Sequence, residues 1–136
     1  MIIQNATWYN GSLSSLNVNA TQAITDEKTS SVQGNVGTIL VSDYMLATSD
    51  SSCSNATVTS FNDTNNYGGC FKMNYLHRNT NMWTLSGLYA INNNVIEQGT
   101  LEDTRVIYPA VFLNDNVLVS SGNGLKSNPY ILTLSE

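Results

Sequence analysis

Charge is what this chain has least of. Lys, Arg, Asp and Glu make up 11% of its 136 residues, under half the roughly 25% of an ordinary globular domain. The five basic residues (Lys28, Lys72, Arg78, Arg105 and Lys126) are scattered, and the formal net charge is −5. A nucleic-acid partner needs clustered cations, so that class is excluded. Histidine occurs once, as His77 beside Arg78, which leaves a Ser, Thr or Cys nucleophile without an evident base. No apolar run reaches 18 residues, so the sequence holds no membrane-spanning segment. The start, Met1-Ile2-Ile3-Gln4-Asn5, has neither the basic nor the apolar stretch of a signal peptide. If the protein is exported, the chain is a mature part or a fragment of something longer.

What fills the space is neutral and polar. Asn supplies 19 residues, and Ser with Thr supply 30. Short polar side chains compete for the backbone and favour turns and caps over helix interiors. Disorder is nonetheless not expected, because 41% of the residues are hydrophobic and 12 are aromatic, against the low hydrophobicity and high net charge that disorder requires. The length suits one domain, residues 1–136.

Two cysteines, Cys53 and Cys70, enclose 16 residues rich in Ser, Asn, Thr and Gly. A disulfide is favoured over two free thiols, since both flank a polar, turn-rich loop; it would remove about 3 kcal/mol of chain entropy from the unfolded state. With one distant histidine they make no tetrahedral metal set. Five Asn-X-Ser/Thr triplets begin at Asn5, Asn10, Asn19, Asn55 and Asn62. About that many arise by chance in so Asn-rich a chain, so they carry almost no weight.

Along the chain, Trp8, Leu13 and Leu16 sit at loose helical spacing, and a short helix followed by coil is expected within 6–24. A polar loop follows over 25–35. Residues 36–42 (VGTILVS) read as a buried strand, and Asp43 as the cap of a helical turn over 44–47. After the polar loop 48–70 come candidate strands at 82–86, 105–113 (with Pro109 marking an edge or bulge), 116–120 and 130–134. The last two are joined by the turn Ser121-Gly122-Asn123-Gly124. Gly122-Asn123-Gly124 lacks the helix and lysine of a phosphate-binding loop and reads as a hairpin turn. The outcome is an α+β fold: helix early, strands late, and large irregular loops.

Several of these segments, namely VGTILVSDYMLAT (36–48), the Cys53/Cys70 pair, NYL (74–76), MWTLS (82–86) and YPAVFLNDNVLVSSGNGLKSNPYIL (108–132), resemble a domain of surface and pilin-like proteins of low-GC Gram-positive bacteria. That resemblance covers about residues 36–132, with a fainter echo at 8–13. It implies a C-type-lectin-like fold, display on the bacterial cell surface, and a position at the C-terminus of a longer chain. The family's Arg-Pro pair is replaced here by Tyr108-Pro109, the nearest arginine being Arg105. The lectin sugar-binding triplets are absent.

The acids lie mostly in expected turns, where solvated surface charge is the plain reading and paired-carboxylate catalysis has little support. Calcium wants six to eight oxygens with several carboxylates, and the oxygen-rich stretches 62–66 and 114–116 hold one carboxylate each. No cofactor, metal or enzyme activity is therefore expected. The segment 74–94 interleaves aromatics with amides, which suits adaptable recognition at low ordering cost. Asn74, Asn79, Asn81, Tyr89, Asn92, Asn93 and Asn94 are the candidate ligand-binding residues, and the resemblance places this part of the chain near ligand-facing loops. Two functions follow as expectations: an adhesin-like extracellular module recognising a protein or glycan, or the globular part of a pilin-like subunit that assembles with copies of itself.

Overall fold

The computed structural model describes residues 2–53, 55–63, 70, 74–76 and 81–135. Among the described residues, three short α-helices and seven short strands in three small antiparallel sheets give the mixed α+β architecture.

The chain opens with β1 (Ala6–Tyr9), paired antiparallel with β2 (Ser31–Gly34). The helix expected within 6–24 is thus displaced. Thr7, Trp8 and Tyr9 favour a pleated strand, and Trp8 is buried and donates its Nε1–H to the Gly34 carbonyl at 2.9 Å. The helix begins only at α1 (Ala20–Glu27), where the Asn19 side chain accepts the Gln22 N–H at 3.0 Å and caps the first turn. Ala20, Ala23 and Glu27, at i, i+3 and i+7, form its buried face.

Residues 36–42 do not form the expected strand. Residues 36–40 run irregularly, and α2 (Val41–Leu46) takes the last two positions. Gly37 exchanges backbone hydrogen bonds with Ala110 at 3.0 and 2.8 Å. A Cβ at Gly37 would collide with the Trp8 ring, so glycine is what lets the indole lie flat there. Asp43 lies within the first turn of this helix and not ahead of it; Leu40 is the N-cap, and the Asp43 carboxylate accepts the Leu40 N–H at 2.9 Å. A 3₁₀ turn (Ser51–Cys53) and α3 (Val58–Asn62) follow.

β3 (Asn81–Trp83), β4 (Tyr89–Asn92) and β5 (Val95–Gln98) form a three-stranded sheet with β4 central. Three consecutive buried residues, Tyr89, Ala90 and Ile91, show that β4 is covered on both faces. Asn93 and Asn94 have φ of +46° and +73°, the left-handed pair that a two-residue hairpin needs and that Asn tolerates. Tyr44 and Phe61 meet edge to face at a centroid distance of 5.8 Å over this sheet. With Val41, Val58, Ile91 and Ile96 they form the centre of the core, each fully buried side chain contributing about 1.5–3 kcal/mol.

Cys53 and Cys70 form a disulfide, with Cα atoms 5.7 Å apart and both side chains in the core. No helix among the described residues is long and apolar enough to cross a membrane.

The segment expected as a strand over 105–113 forms no strand ladder: isolated bridges join Val106 to Met82, Ala110 to Gly37 and Leu113 to Ile3, and the Thr38 hydroxyl donates to the Tyr108 carbonyl at 2.7 Å. Beyond it, β6 (Val117–Ser121) and β7 (Ile131–Leu134) form a hairpin close to the expected boundaries. Gly122 and Gly124 take positive φ in its turn.

Candidate functional site

The amide-rich segment divides into three parts. Asn74 is buried: its Nδ2 donates to the Tyr44 carbonyl at 2.6 Å and its Oδ1 accepts the Leu76 N–H at 2.8 Å. Asn94 is also buried and accepts the Tyr44 hydroxyl at 3.3 Å, Asn92 donates to Glu97 at 3.1 Å, and Tyr89 lies in the core. These four hold the fold. Asn81 and Asn93 are exposed, at the same end of the sheet, since Asn81 pairs with Asn92. Asn79 lies outside the described residues, as does His77.

Asparagine elsewhere does the same structural duty. The Asn62 amide both donates to the Ile96 carbonyl (2.7 Å) and accepts the Ile96 N–H (2.8 Å), sealing the outer edge of β5. Amide groups thus stand in for backbone partners where the chain is irregular.

One acid contradicts the expectation of solvated charge. Glu27 is fully buried, and its carboxylate accepts the Ser42 N–H at 3.1 Å, the Ser86 hydroxyl at 2.6 Å and the Ser42 hydroxyl. The Ser86 oxygen in turn accepts the Val41 N–H at 2.8 Å. Helices α1 and α2 and the turn before β4 are therefore fastened at one sealed point. Three hydrogen bonds satisfy both carboxyl oxygens of this buried group. Its neighbour Asp26 lies nearer the surface, where hydrogen bonds from the Ser14 hydroxyl and N–H hold its carboxyl below the usual range.

An ion-pair cluster lies beside the three-stranded sheet. Arg105 bridges Glu97 at 2.9 Å and Asp103 at 3.1 Å, with its guanidinium over the Trp83 ring at 5.2 Å. The Thr100 N–H and Arg105 keep the Asp103 carboxyl below its ordinary range. This group anchors the point where the chain leaves the core. Among the described residues, no three His, Cys, Asp or Glu side chains converge into a metal-holding group.

Segment 106–113 walls two hollows among the described residues. An apolar one of about 290 Å³ is lined by Ile39, Leu76, Met82, Tyr108, Pro109 and Ala110. A mixed one of about 220 Å³ has the aromatics Trp8, Tyr9 and Phe112 beside Thr7, Thr38 and Asp43. Phe112 packs on Trp8 at 5.0 Å yet stays 48% exposed.

The larger surface feature is the segment itself with the hairpin after it. From residue 100 to 135 no residue is buried. Val106, Ile107, Val111, Leu118, Val119 and Ile131 are each at least 40% exposed. Nothing in composition foretold this, since apolar strand residues read as core.

Compared with known proteins, the chain matches no family model, no curated relative and no solved structure.

Proposed function

We propose that this chain is a non-catalytic, extracellular binding module of C-type-lectin-like fold, displayed on a bacterial cell surface. Its contact surface is the apolar strip 106–134 and the hollows beside it, more than the asparagine loops. The observation that carries this reading is the exposure of that strip. A contiguous apolar area of several hundred Å² on a monomer marks an interaction site, and aromatic and amide groups at its border suit a protein or glycan ligand. The disulfide fits an oxidising compartment, and a surface carried by neutral polar groups fits recognition without charge.

The test is to probe glycan and surface-protein arrays with the wild-type chain, a Phe112→Ala variant and a Leu118→Ser/Ile131→Ser variant. Binding weakened at least fivefold by either change supports the reading. Binding indifferent to both removes it.

A second reading, a pilin-like subunit that assembles into a filament, draws on the outer edges of β6 and β7. Neither has a strand partner among the described residues, and such edges template pairing with other chains. Electron microscopy of concentrated protein distinguishes filaments from discrete particles.

A further inference from the structure

The hairpin supports a more specific statement, which rests on the contact-surface reading above and names the occupant. We propose that β6–β7 packs against the same hairpin of a second copy of this chain, aliphatic face to aliphatic face, with strands antiparallel about a twofold axis.

The register pairs Val117 with Leu134 and Val119 with Leu132. Directly opposed residues share a face of the ribbon, as do alternate residues along a strand. Val117, Val119, Leu132 and Leu134 therefore form one face that is aliphatic throughout. The opposite face, with Leu118, Thr133 and Ile131, is mixed. None of these side chains is buried, and Val119 is 60% exposed. Among the described residues, the hairpin makes no substantial contact with any other helix or strand. An isolated two-stranded hairpin is marginal in water, so whatever covers the aliphatic face also stabilises it.

Charge selects the occupant. The chain as a whole carries −5, yet from residue 106 to 135 the only formal charges are Asp115 and Lys126. Asp115 precedes β6 at the base of the hairpin, and Lys126 lies in its tip, beyond a strand of five residues that spans about 17 Å. Antiparallel packing lays each tip over the other copy's base. Lys126 of one copy then meets Asp115 of the second, twice by symmetry. Parallel packing would instead set like charges against each other. A twofold contact uses one patch on both sides and so requires a neutral, self-complementary strip. A basic partner would be drawn to the acidic remainder of the surface instead. Because both patches are consumed, the assembly closes as a dimer and does not grow.

Sedimentation velocity of the 136-residue chain over a wide concentration range tests this, with far-UV circular dichroism confirming that each variant is folded. The wild type is expected to pass from monomer to dimer. Val119→Lys should weaken the dimer at least tenfold. Asp115→Lys and Lys126→Asp should each weaken it by about threefold to tenfold, because each opposes like charges across the contact. The double reversal Asp115→Lys/Lys126→Asp should restore dimerisation to within about twofold of wild type, since opposite charges meet again. A wild type that stays monomeric throughout, or a double reversal no better than the single changes, overturns the pairing. If the wild type is monomeric but array binding still depends on Leu118 and Ile131, the pairing is wrong and the contact-surface reading stands. Indifference in both assays removes both.

Discussion

Residues 8–96 and residues 100–135 use the same kinds of side chain for opposite ends. In the first region Val41, Val58, Phe61, Ile91 and Ile96 are sealed around Tyr44, a disulfide closes the irregular middle, and a buried carboxylate fastens two helices to a turn. In the second, Val, Ile, Leu and Phe are more frequent yet none is buried, and backbone pairing to the body is confined to single bridges at Val106, Ala110 and Leu113. Apolar content alone therefore does not make core. What decides it is whether a second layer exists to receive each face. The first region has one in its helices, whereas the second presents its faces outward.

Mutations should separate the two regions sharply. Phe61→Ala, at the centre of the core, should lower unfolding free energy by about 3–5 kcal/mol in urea titration. Reducing the Cys53–Cys70 disulfide, whose cysteines are 17 residues apart, should cost about 3 kcal/mol in the chain-entropy account. Glu27→Ala leaves the Ser42 N–H and two hydroxyls without their acceptor and should cost roughly 2–4 kcal/mol. At the other extreme, Leu118→Ser on the exposed hairpin should move the monomer's stability by no more than about 0.5 kcal/mol. Should Leu118→Ser cost as much as Phe61→Ala, the contrast between the regions fails.

Titration sharpens the same contrast. Burial raises the pKa of Tyr44, whose phenol donates to Asn94. The neutral form is thus favoured in the folded state. Its stabilisation is fully present below the unfolded phenol's value of about 10 and declines as pH rises beyond it. Tyr44→Phe should flatten the alkaline limb of the stability–pH curve. Asp26 has the opposite sign: its lowered pKa contributes stability above the ordinary carboxyl value, lost as pH falls through the folded one. Asp26→Asn should flatten the acid limb.

How much of this was legible in the sequence depends on how local the cause is. The β6–β7 hairpin could be read because apolar runs and two glycines in the turn suffice to specify it. The β4–β5 hairpin could not. Its turn is Asn93-Asn94, and in a chain with 19 asparagines that pair does not stand out from INNNV. Trp8, Leu13 and Leu16 suggested a helix by spacing, but pairing with 31–34 and the cover of Gly37 made Trp8 a strand residue. Residues 36–40 have strand composition, yet Gly37 pairs with Ala110 as an isolated bridge while Ile39 bonds to Leu85 and Leu40 starts a helix, so no ladder propagates. The role of Glu27 depends on Ser42 and Ser86, which are 15 and 59 positions away. No local pattern announces such a pairing. Of the amides singled out for ligand binding, Asn74, Asn92 and Asn94 are spent on the fold, and only geometry separates them from Asn81 and Asn93.

The difference between the two regions is tested most directly by hydrogen exchange followed by mass spectrometry at dilute protein concentration. The account predicts slow, globally limited exchange in β4, β5 and α2, and fast exchange in 117–121 and 131–134, because a hairpin with no covering layer opens locally. Equal protection of the hairpin and the core in the dilute monomer would contradict it.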